Sequence, residues 1–191
     1  MHASDPTDLS VLQRIAARDT AALAELYDRH SRLLFGLILR IVRDRGEAED
    51  ILQEAFMRVW TRAETYDAQM GGPLPWIVRV ARNCAIDRLR ARRVRAVVHA
   101  PAIDFSEVET TAPATNVQTP EATVFIAEQR RTLTGALAGL PAQQRQLIEA
   151  AFFEGYTHSE LAQRFELPLG TVKTRIRAGM SAMRKRLEHA V

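Results

Sequence analysis

The chain has 191 residues, enough for one large domain or two small ones. Its 47% hydrophobic content suits packed cores, while 26% charged residues net only +3, so total charge alone does not point to nucleic acid. Cys84 is the single cysteine, which excludes an intramolecular disulfide and a multi-cysteine zinc site and fits a reducing cytoplasm.

Met1 to Ser10 is polar and carries acids, so it does not read as a signal peptide. No sustained period-2 alternation and no Asn-Gly or Asp-Gly turn occurs, so an all-α fold is expected. Asp19 or Thr20 is predicted to cap a helix running to about Val42. Its apolar stretch, Leu33 to Val42, contains Arg40 and is too short to cross a bilayer. These features predict a soluble, cytoplasmic protein. A second helix is expected over about Gly46 to Ala63. The Gly71-Gly72-Pro73 cluster then breaks the chain, and Pro75 suits the first turn of a third helix reaching about Arg95.

Composition shifts next. From Ala96 to Glu128 there is no Lys or Arg, but there are Asp104, Glu107, Glu109, Glu121 and Glu128, with Pro101, Pro113 and Pro120. This predicts a flexible acidic linker over residues 97–120, separating a helical domain at 1–96 from another at 121–191. Beyond it, helices are expected at Glu121–Ala138, Pro141–Phe153, Thr157–Phe165 and Leu169–Glu188, punctuated by Gly139, Gly155 and the Glu166-Leu167-Pro168 turn.

The last two helices, joined by about three residues, make a helix-turn-helix pattern. On a wheel of about 100° per residue, Val172, Ile176, Met180, Met183 and Leu187 share a packing face. The opposite face holds Thr171, Thr174, Arg177, Ala178, Ser181 and Lys185, flanked by Lys173, Arg184 and Arg175. Six basic residues and no acids lie between Thr171 and Leu187. Small side chains allow close approach to base edges, Arg177 and hydroxyls can hydrogen-bond there, and flanking cations meet phosphates.

Three N-terminal stretches add to this. On the second helix, Ala48, Ile51, Leu52, Ala55, Phe56 and Val59 form a core face, while Asp50, Gln53, Glu54, Met57 and Thr61 point outward. That outward mixture suits a protein partner, although composition alone leaves a solvated acidic face open. On the third helix, Ile77, Val80, Ala81 and Cys84 pack inward, and Trp76, Arg79, Asn83 and Arg90 line the other side. Ile77 to Arg95 holds seven arginines and one aspartate. Cations with an aromatic ring and an amide suit single-stranded DNA, although Trp76 as a core residue stays open. The loop between, Thr65 to Leu74, carries Tyr66, Asp67, Gln69 and Met70.

Taken with their order, these segments resemble the extracytoplasmic-function sigma factors of the bacterial sigma-70 family. Asp50-Ile-Leu-Gln-Glu-Ala-Phe56 with Val59-Trp60 is similar to their polymerase-binding segment. Pro75-Trp76-Ile-Val-Arg-Val-Ala-Arg-Asn83 with Ala85-Ile-Asp-Arg88 resembles their −10-reading helix. Leu140-Pro141 with Gln144-Arg145, and Leu169-Gly170-Thr-Val-Lys-Thr-Arg-Ile176, resemble the two halves of their −35-reading domain.

The resemblance implies a sigma2-like bundle and a sigma4-like helix-turn-helix domain. It implies RNA polymerase core as a partner, through the beta-prime clamp and the beta flap, with promoter DNA and an anti-sigma factor as the others. Asp50, Gln53, Glu54 and Met57 would meet the clamp. Tyr66, Trp76, Arg79, Asn83 and Arg90 would serve the −10 element, and Thr171, Lys173, Thr174, Arg175, Arg177 and Arg184 the −35 element. The linker acids Asp104, Glu107 and Glu109 would mimic an RNA backbone. No cofactor, metal or small-molecule substrate is expected. A repressor or activator would explain only the helix-turn-helix. An enzyme on nucleic acid would need convergent carboxylates or histidines, whereas His2, His30, His99, His158 and His189 lack ligand spacing.

Overall fold

The computed structural model describes residues 6–99 and 135–188, and all of their regular structure is helical. They fall into two compact units. The first contains α1 (Pro6–Ala16), α2 (Thr20–Val42), α3 (Arg45–Arg62) and α4 (Pro73–His99), with short 3-10 turns at Ala63–Thr65 and Ala68–Met70. The second contains α5 (residues 135–138), α6 (Ala142–Phe153), α7 (His158–Arg164) and α8 (Leu169–Glu188). Among the described residues, no helix is long and apolar enough to cross a membrane.

Helix α1 was not anticipated from the sequence, because its polar start hides its apolar stripe. Val11, Leu12 and Ile15 are buried. Burying each such side chain contributes roughly 1.5–3 kcal/mol. Asp8 is buried as well, at 5% exposure. A buried carboxylate is costly unless paired, and here Arg29 donates to one oxygen at 3.0 Å while His30 Nε2 lies 2.7 Å from the other. These bonds tie α1 to α2.

Helix α2 starts where expected. Asp19 accepts from the N–H groups of Ala21 and Ala22, and Arg43 closes the helix in a left-handed conformation, its N–H donating to Leu39 O. Asp44 caps α3 by accepting from Glu47 N at 2.8 Å. All six residues expected in the α3 core face are buried. The helix ends at Arg62, and the expected last residue, Ala63, begins a 3-10 turn instead.

Helix α4 departs from expectation at both ends. It begins at Pro73, because proline without an N–H fits any first-turn position and Pro75 is still within that turn. It continues past Arg95 to His99, since nothing in Ala96–His99 breaks a helix before Pro101. Residues 97–99, expected in the linker, are therefore helical. The rest of the expected linker, with its acids, and most of the Glu121–Ala138 helix lie outside the described residues.

In the second unit, Leu147, Ala150, Leu161 and Val172 form the core, covered by Tyr156, Phe165, Leu167 and Ile176. Thr157 and Glu160 make a reciprocal capping box that starts α7. Glu166 takes a left-handed backbone (φ 51°) in the turn leading to α8. The expected packing face of α8 needs one correction. Met180 is 53% exposed, and Gly179 is buried in its place. A Cβ at Gly179 would lie 2.6 Å from Ile148 Cδ1 and 3.3 Å from Gln144 Cβ. The glycine thus lets α6 approach α8 closely, and the contact row runs through Val172, Ile176, Gly179 and Met183.

Candidate nucleic-acid interface

Helices α3 and α4 pack side by side, and the loop between them folds over one end of the pair. Arg58, Arg62 and Thr65 face Trp76, Arg79, Val80 and Asn83 across a cleft of about 140 Å³. Three residues singled out from α4 periodicity, Trp76, Arg79 and Asn83, meet here. Trp76 does not lie outward as expected: it is only 9% exposed, because the loop covers it. Tyr66 packs edge-on against it, with ring centres 5.7 Å apart. The Tyr66 hydroxyl donates to Gly71 O at 2.9 Å, which pins the loop where Gly71 takes φ 128°. Tyr66 itself does not line the cleft. It fixes the ring that does. Arg90 is exposed farther along α4 and does not line the cleft either.

Arg58 and Arg62 were not singled out from sequence. They belong to α3, whose outward residues read there as one protein-facing surface. Arg62 and Arg79 form no ion pair among the described residues. Arg58 does: one terminal nitrogen donates to Glu54 at 2.7 Å and the other to Asp87 at 3.3 Å. Arg88 lies 3.9 Å from the second Glu54 oxygen.

Asp50, Gln53 and Met57 are exposed on successive turns of α3. Glu54 lies among them but also turns toward α4 through its arginines. Cys84 is buried beneath this network. Burial pushes its thiol up to about 11, so it stays a neutral, unreactive thiol near neutral pH.

On α8, Lys173, Thr174, Arg177, Ala178, Ser181 and Arg184 are exposed, while Thr171 and Arg175 are half-buried. The Thr174 hydroxyl donates to Gly170 O at 2.9 Å, leaving its oxygen as an acceptor. Lys173, Arg175 and Arg177 form no ion pair among the described residues, so this convex face carries uncompensated positive charge. Arg186 points elsewhere, donating to Ala136 O at 3.3 Å beside Gly139.

Each of the two units matches a known family. Residues 26–95 match the Sigma-70 region 2 family, and residues 136–185 match Sigma-70, region 4. The ECF RNA polymerase sigma factor SigK of Mycolicibacterium vanbaalenii is 32% identical over 176 residues, which span 92% of this chain and 87% of that one. SigK of Mycobacterium ulcerans is 33% identical over 183 residues, spanning 94% and 92%. Among solved structures, Rhodobacter sphaeroides SigE in complex with the anti-sigma ChrR is 31% identical, covering 93% of this chain and 96% of its own, with a TM-score of 0.44. The chain therefore belongs to the ECF sigma factors of the sigma-70 family, whose work is promoter-specific initiation of transcription with RNA polymerase.

Proposed function

We propose that the two units divide a promoter between them. The first unit engages polymerase core through Asp50, Gln53, Glu54 and Met57. It holds the −10 element in the α3–α4 cleft. The observation that carries this reading is the meeting of Trp76, Arg79 and Asn83 in one concave, cationic site. A base leaving the duplex loses stacking worth roughly a few kcal/mol, which a ring, an amide and a phosphate-binding cation can offset. Tyr66 positions the ring, and Arg90 tracks the backbone farther along α4.

The second unit places α8 in the major groove at the −35 element. Lys173, Thr174 and Arg177 face base edges, and Thr171, Arg175 and Arg184 lie nearer phosphate. It also offers the beta flap a surface, and an anti-sigma factor competes for these contacts. The factor acts in the cytoplasm, alongside the polymerase, and its role is to bind and direct, not to catalyse.

Run-off transcription with purified bacterial core on a promoter library tests this reading. Core-dependent, promoter-selective transcripts are expected, and they should disappear with Asp50→Ala/Glu54→Ala. No association with core, and tight binding of the free protein to duplex DNA, would instead favour a helix-turn-helix repressor or activator.

A further inference from the structure

Arg58 stands at a junction that periodicity does not reveal. Its side chain lines the cleft with Arg62 and Arg79. Unlike those two, it has both terminal nitrogens engaged, by Glu54 from one helical turn earlier on α3 and by Asp87 from α4. A guanidinium recognises phosphate best when two N–H groups of its fork are available together. With Glu54 and Asp87 in place, two of the five N–H groups of Arg58 and its charge are already engaged, which weakens any fork it offers to DNA. Glu54, however, is 40% exposed and sits on the same outward strip of α3 as Asp50, Gln53 and Met57. A cation from a partner seated on that strip would compete for Glu54 directly.

We propose that Arg58 links the polymerase-facing strip to the single-strand cleft: Glu54 and Asp87 hold it in the free protein, and a partner that engages Glu54 releases it to a DNA backbone phosphate. This inference rests on the reading of the cleft given above. It makes the cleft electrostatically incomplete until α3 is occupied. The free protein thereby binds single strands weakly, although the cleft's shape is already formed. The contact is partly exposed and involves two carboxylates, so the latch is a modest one, suited to being outcompeted.

The test compares the free full-length protein with holoenzyme, using a fluorescein-labelled single-stranded oligodeoxynucleotide that carries the non-template −10 sequence of a transcribed promoter. In the free protein, Glu54→Gln/Asp87→Asn should tighten binding by about threefold or more. It should also steepen the slope of log affinity against log salt by about 0.7, the mark of one added phosphate contact on a single strand. Adding Arg58→Gln should cancel both changes. In holoenzyme, Arg58→Gln alone should weaken oligonucleotide binding and flatten the salt slope by the same amount. A structural staple would shift melting temperature without moving either slope. Unchanged affinity and slope in the double variant, or holoenzyme indifferent to Arg58→Gln, would overturn the link. If Arg79→Ala and Asn83→Ala also leave holoenzyme binding unchanged, the cleft reading itself fails and the link falls with it. If those two weaken binding while the Glu54 and Arg58 variants do not, only the link is lost.

Discussion

The α3–α4 cleft and the α8 face are both cationic, yet they handle charge in opposite ways. Along α3 and α4, several arginines are tied to carboxylates: Arg58 to Glu54 within α3, and Arg58 to Asp87, Arg88 to Glu54 and Arg92 to Glu47 (3.4 Å) across the two helices, while Arg62 and Arg79 in the cleft form no ion pair among the described residues. On α8, no acid lies between Leu169 and Leu187, and Lys173, Arg175 and Arg177 form no ion pair among the described residues. The cleft is concave, pinned by Tyr66 and walled by a buried ring. The α8 face is convex and lined with small side chains. The first design suits a strand that must be opened before it can enter. The second suits a duplex that is read as it stands.

This contrast is broken most severely by emptying the core that presents α8. Leu161 of α7 is fully buried in the core that it forms with Leu147 and Ala150 of α6 and Val172 of α8. Leu161→Ala should destabilise the second unit by about 2–5 kcal/mol, read by chemical denaturation, with binding to core through α3 retained. Gly179→Val comes next. It forces Ile148 and Gln144 aside and should cost about 1–3 kcal/mol, tilting α8 and weakening promoter discrimination at the −35 element. Arg177→Ala leaves the fold intact and should cost about 1–3 kcal/mol of sequence discrimination there, measured as transcription from matched and substituted promoters.

A smaller effect sharpens the other side of the comparison. The Cys84 thiol lies under the Arg58 network with its pKa raised from 9.0 to about 11. Between those values the unfolded chain has lost this proton and the folded chain still holds it. The contribution to stability is therefore full below about pH 9 and declines as pH rises toward about 11. Wild type minus Cys84→Ala stability should fall by about 2 kcal/mol across that window. A flat difference would mean that the thiol is hydrated. Smallest is Thr157→Ala, which removes one half of the α7 capping box and should cost about 1 kcal/mol.

Much of this was legible in the chain itself because periodicity and punctuation carry it. The Asp19 cap, the six buried residues of α3 and the turn before α8 all follow from local spacing. What was not legible depends on neighbours. Gly179 has no side chain to register as apolar, so its burial appears only when α6 is set against α8. Trp76 reads as outward on a helical wheel, but the loop carrying Tyr66 closes over it. Helix α1 opens on polar residues, and its buried Asp8 makes sense only beside Arg29 and His30. Arg58 and Arg62 lie on a helix whose outward residues suggested one surface, whereas α4 gives them a second.

The division of labour between the two surfaces is tested most directly by permanganate footprinting of unpaired thymines in holoenzyme–promoter complexes, with upstream protection mapped in parallel. Arg79→Ala/Asn83→Ala should keep protection over the −35 element and lose thymine reactivity near −10. Arg177→Ala should lose upstream protection, while those complexes that still form should show normal thymine reactivity. If the cleft variant opened DNA normally, or if both variants lost both signals together, the two surfaces would not divide the promoter and the account would be wrong.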